Sequence, residues 1–71
     1  MSKSEIITKI LAKYPKARKI AVENVLMGYN GNSMEFQMNL EMDICSYGWN
    51  GDTVKAIYAG MEEFDRMGAN N

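Results

Sequence analysis

MEFQMNLEMDI, residues 34–44, places Met34, Phe36, Met38, Leu40, Met42 and Ile44 at every second position, with a polar residue between each pair. That alternation is the period of a half-buried strand. The residue types argue the other way. Met, Leu, Glu and Gln favour helices, and no position from Met34 to Asp43 is β-branched, Tyr or Trp. Whichever signal prevails decides between a helical bundle and a helix, hairpin, helix arrangement.

The hairpin reading takes Lys19 to Tyr29 as a strand, Asn30-Gly31 as its turn and the alternating stretch as the returning strand. The flanks favour the helix. Asn32 is a suitable N-cap with Glu35 three residues on, and Gly48 follows Tyr47 where a helix of about four turns wants a left-handed residue. On a helix, Met34, Met38, Met42 and Cys45 form one stripe, and Phe36, Leu40, Ile44 and Tyr47 form another on roughly the opposite side. Such a helix packs between neighbours, and the Met stripe with Cys45 is expected to join the core.

Outward from this segment the punctuation is helical throughout. Ser2 caps a first helix with Glu5 as its capping-box partner, Ile6, Ile7, Ile10, Leu11 and Tyr14 form the core face, and Pro15 ends it near Lys13. Pro15 also suits the first turn of a second helix, with Ala17, Ile20, Ala21 and Val25 facing inward, Val22 and Leu26 as further candidates, and Gly28 as the stop. In the last segment Asn50 is the N-cap and Trp49 closes over Val54 as a hydrophobic staple. There Val54, Ile57, Tyr58, Met61 and Phe64 share a face, and the small Ala56, Ala59 and Gly60 admit a close neighbour on its flank. The expected fold is all-α: a compact bundle of three to four short helices near Lys3–Lys13, Pro15–Met27, Ser33–Tyr47 and Gly51–Met67. It forms one domain over residues 1–71, with a frayed tail over 68–71.

Seventy-one residues allow one small core, and chains of this size bury only about 60% of their unfolded surface. Stability is therefore expected to be marginal, so a homo-oligomer or a bound partner would supply missing burial. The single Cys45 permits no intrachain disulfide, and the N-terminal segment interrupts its apolar residues with Lys and Glu. A soluble, cytoplasmic protein without membrane association is the expectation. Charge is unevenly spread. Up to Lys19, six Lys and Arg oppose Glu5 alone, whereas beyond it Lys55 and Arg66 oppose eight carboxylates. That asymmetry fits either a polyanion-binding arm or two ends that attract each other.

The absence of His and the lone Cys remove the usual general base and any cysteine-rich metal site. No enzyme activity, cofactor or metal is expected. Cys45 reads as a small buried hydrophobe, and Asp52, Glu62, Glu63 and Asp65 as a solvated acidic face lacking calcium-loop spacing. Two binding readings remain. Tyr29, Tyr47 and Trp49 stand at helix ends, where aromatics either staple the core or anchor a protein partner. Lys9, Lys13, Lys16, Arg18 and Lys19 form a basic arm suited to phosphates, making nucleic acid the alternative partner, although the arm lacks stacking aromatics.

Residues 38–61 carry an Asn-Leu-x-Met-Asp stretch followed by Tyr-x-Trp-Asn and Thr-x-x-Ala-Ile, at Asn39, Leu40, Met42, Asp43, Tyr47, Trp49, Asn50, Thr53, Ala56 and Ile57. In this third of its length the chain resembles small proteins of tailed-phage genomes that have no assigned activity. The resemblance implies a phage accessory factor acting in the host cytoplasm. With the absence of catalytic residues, it leads to the expectation of a non-enzymatic interaction protein that binds a host or phage protein.

Overall fold

A computed structural model describes residues 2–68 as four helices: α1, Lys3–Lys13; α2, Lys19–Met27; α3, Met34–Tyr47; and α4, Gly51–Met67. Among the described residues there is no strand. The alternating segment is therefore helical. Asn30-Gly31, the turn of the hairpin reading, serves as part of the α2–α3 connection, with Gly31 at φ 101°.

Local chemistry explains the helix ends. The Ser2 hydroxyl accepts from the Glu5 amide at 3.2 Å while the Glu5 carboxylate accepts from the Ser2 amide at 3.1 Å, closing a capping box. Asn50 accepts from the Thr53 amide at 3.1 Å. Gly48 at φ 61° and Gly68 at φ 69° terminate α3 and α4 in the left-handed region that only glycine enters cheaply. The expected frayed tail lies outside the described residues apart from Gly68.

Two boundaries differ from the sequence expectation. α2 begins at Lys19, not Pro15, because the preceding residues are held as a turn against the start of α4. The Arg18 amide donates to Thr53 Oγ1 at 2.8 Å, and Asn50 Nδ2 donates to the Lys16 carbonyl at 2.9 Å. Those bonds fix the α1–α2 connection outside helical geometry. The cap of α3 is Ser33, whose hydroxyl accepts from the Phe36 amide at 3.0 Å, not Asn32.

The core unites Ile6, Ile7 and Ile10 of α1, Val22 and Leu26 of α2, Tyr29 of the connection, Leu40 of α3, and Ala56, Ile57, Met61 and Phe64 of α4. Helices α1, α2 and α4 all pack on one another. The small flank of α4 makes this possible. A Cβ added to Gly60 would lie 2.3 Å from Leu26 Cδ1 and 2.9 Å from Cδ2, so α2 lies directly on the glycine backbone. Because α2 starts late and turns Val22 and Leu26 inward, Ile20, expected in the core, is 71% exposed, and Ala21 and Val25 are half-buried.

The largest departure concerns α3. Leu40 is its one fully buried side chain, with Phe36 and Ile44 half-buried beside it. The other three helices pack mainly on one another and meet α3 only on its Leu40 side. Met34, Met38, Met42 and Cys45 therefore face outward, contrary to the expectation that they join the core.

Gly60→Ala tests the close crossing. Overpacking costs about 1–3 kcal/mol against a gain of about 1 kcal/mol in helix propensity, so urea denaturation should show net destabilisation. Leu26→Ala should cost less in that background than in the parent, and additive effects would refute the contact. For α3, Ser33→Ala should lower stability by about 1 kcal/mol with Asn32→Ala near neutral; the reverse order would restore Asn32 as cap.

Candidate docking groove between α2 and α3

Helices α2 and α3 line the two sides of one groove. The start of α3 lies near the end of α2, where the Phe36 ring meets Tyr29 edge-on at 5.1 Å between centroids. Its end lies near the start of α2, because Trp49 leads directly into the α4 turn that holds Arg18. Along the facing sides, α2 offers Ala21, Asn24 and Gly28, and α3 offers Asn39 and Asp43. These small and polar residues do not fill the space between two helices, and a groove of about 800 Å³ results.

The groove is apolar along Ile20, Ala21, Val25, Phe36 and Leu40. Tyr47 and Trp49 close one end as a stacked pair, with centroids 5.5 Å apart and ring planes 13° from parallel. Tyr47 is 63% exposed, whereas Trp49 is half-buried and packs against the core. Arg18 and Lys19 stand at that same end, and Asp43 on the α3 wall, so both signs of charge border an apolar floor. Apolar pockets with a few convergent polar groups are the usual form of a binding site.

The structure divides the residues singled out in the sequence. Tyr47 and Trp49 come together at the groove. Tyr29 does not: it is fully buried, its hydroxyl donates to both Asp65 carboxylate oxygens at 2.8 Å, and its ring contacts Phe36 and Phe64. It is a core residue rather than a docking aromatic, because the connection after α2 drops its ring into the space enclosed by α3 and α4. Desolvation, and then the hydrogen bond with Asp65, push its hydroxyl pKa up to about 12.

The basic residues also separate. Arg18 and Lys19 border the groove, while Lys9 and Lys13 line a smaller depression of about 330 Å³ with Ile6, Ile10, Glu63, Arg66 and Met67. The Glu63 carboxyl is held below its ordinary range, first by its hydrogen bond from Arg66, with Lys13 and Lys9 adding to the effect. Part of the charge asymmetry is thus answered within the molecule. The proposed acidic face is similarly dispersed, since Glu63 pairs with Arg66 and Asp65 with Tyr29. Among the described residues, no group of three His, Cys, Asp or Glu side chains is placed to hold a metal ion, and no helix is long and apolar enough to cross a membrane.

Sequence reasoning missed Ile20, Asn39 and Asp43 as groove residues. Asn39 and Asp43, one helical turn apart and flanked by Phe36, Leu40 and Tyr47, were the available signal. Ile20 had none, since its exposure follows from where α2 starts. Comparison with protein-family models, curated proteins and solved structures found no match.

The Tyr29 environment yields a pH test. A folded-state pKa near 12 against an ordinary value of 10.0 means that its contribution is complete below pH 10 and is lost as pH rises towards 12. Tyr29→Phe should flatten the fall in stability measured by denaturation across that interval, and should cost on the order of 1 kcal/mol at neutral pH. An unchanged alkaline profile would mean the hydroxyl is not held as described.

Proposed function

We propose that this is a non-enzymatic interaction protein whose α2–α3 groove receives a segment of a partner protein. The observation that carries the reading is the apolar groove ending in the stacked Tyr47 and Trp49. Half-buried aromatics beside exposed aliphatics are the usual anchors of protein interfaces. Ile20, Met27, Met34, Met38, Met42 and Tyr47 give α2, α3 and their ends a concentration of exposed large apolar side chains, and such surfaces mark interaction sites. The resemblance of residues 38–61 to tailed-phage proteins supports a phage accessory factor acting on a host or phage protein in the host cytoplasm.

Nucleic-acid binding is the second reading. It rests on the exposure of Lys9, Lys13, Lys16, Arg18 and Lys19 along α1 and the α1–α2 connection. The proximity of Glu63 to Lys9 and Lys13 weakens it by opposing phosphate there.

Immobilised protein should retain a partner from host or infected-cell lysate at about 0.5 M salt, where exposed charges are largely screened. Trp49→Ala and Ile20→Asp should each lose that partner. Retention unaffected by either variant would remove the groove. Retention of nuclease-sensitive material alone, released by moderate salt and by Lys13→Glu with Lys16→Glu, would transfer the function to nucleic acid.

A further inference from the structure

The outward face of α3 is a separate surface from the groove. Met34, Met38 and Met42 lie one turn apart and are 81%, 57% and 64% exposed. At 100° per residue they occupy an arc of about 80° centred roughly 160° from the buried Leu40, and Cys45 falls within the same arc. The exposed carboxylates of Glu35 and Glu41 border the arc, one on each side. Helix α3 contains no Lys or Arg.

We infer that this face binds an amphipathic helix with basic flanks, supplied by another protein. The inference rests on the reading of the chain as an interaction protein and adds a second surface with its own partner chemistry. Methionine side chains are unbranched, flexible and polarisable, so a row of them adapts to apolar side chains of varied shape. A helix laid along the row places its flanking residues beside Glu35 and Glu41, where Lys or Arg gain charge complementarity.

Charge also disfavours one competing occupant. A second copy pairing α3 against α3 in antiparallel two-fold fashion would bring Glu35 to the side of Glu35 and Glu41 to that of Glu41, with no base on either helix to offset them. The basic helix of the chain itself, α1, has Ile6, Ile7 and Ile10 committed to its own core, so a second copy cannot present that apolar face without unfolding.

The test uses the full chain with methyl-labelled methionine and two synthetic amphipathic peptides of about 14 residues, the length of α3. One is built from Leu and Lys, the other from Leu and Glu. The Leu/Lys peptide should shift the methyl signals of Met34, Met38 and Met42 while leaving the buried Met61 in place, and the Leu/Glu peptide should not bind. Replacing Met34, Met38 and Met42 by Gln should weaken binding roughly tenfold, about 1.4 kcal/mol, with an unchanged circular dichroism spectrum. Glu35→Lys with Glu41→Lys should reverse the preference between the peptides. Equal binding of both peptides, no methyl response, or a dimer by light scattering with these methionines at its interface would overturn the inference. Binding of the Leu/Lys peptide that is lost with Ile20→Asp or Trp49→Ala but not with the methionine substitutions would overturn it while upholding the groove, and loss of the groove in the lysate experiment leaves the methionine response free to succeed.

Discussion

The close contact of Leu26 with the backbone of Gly60 is the constraint on which the architecture depends. With no side chain at Gly60 and only a methyl group at Ala56, α2 lies directly on α4, and both residues are buried. Helix α1 then covers the remaining flank of α4 through Ile6, Ile7 and Ile10. These three helices pack on one another and supply most of the core, and α3 adds Leu40 to it from one side. A larger residue at position 60 would hold α2 away from α4.

The position of α3 follows. It is attached by Leu40, by Phe36 against Tyr29, by Ile44, and by Gln37 Nε2 donating to the Tyr58 hydroxyl at 2.7 Å. These contacts lie on one side of the helix. On the α2 side, small and polar residues leave the groove. On the far side, the methionine row meets solvent. Both candidate docking surfaces thus follow from a core built mainly by α1, α2 and α4, to which α3 contributes one fully buried side chain, Leu40.

Polar groups at the two ends of α4 complete the assembly. At its start, Thr53, the one fully buried polar residue among those described, accepts from Arg18 and donates to Asn50, which in turn donates to Lys16. At its far end, Lys3 donates to the carbonyls of Met27 and Tyr29 and lies 5.6 Å from the centre of the Phe64 ring, while Asp65 receives the Tyr29 hydroxyl. The α1–α2 connection is thereby bonded to Asn50 and Thr53 at the start of α4, and the α2–α3 connection to Lys3 of α1 and, through the Tyr29 hydroxyl, to Asp65 of α4.

Much was legible in the sequence by itself: four helices, the capping box at Ser2, Asn50 as cap of α4, the glycine stops at Gly48 and Gly68, and the priority of capping over alternation at residues 34–44. Helix propensity, side-chain caps and left-handed glycines act within a few residues, so neighbouring letters carry them. The pairing of Tyr47 with Trp49 was legible in part, since both were seen to stand at helix ends. Only the tertiary structure decided which face of each helix is covered. Met34, Met38 and Met42 have a helical period whether they face a core or water, Ile20 is exposed because bonds from Thr53 and Asn50 delay the start of α2, and Tyr29 is buried because Asp65 and Phe64 wait for it more than thirty residues away. Periodicity specifies a stripe; the volume available beside it, set by distant residues such as Gly60, determines whether that stripe is filled in, left as a groove, or offered to another molecule.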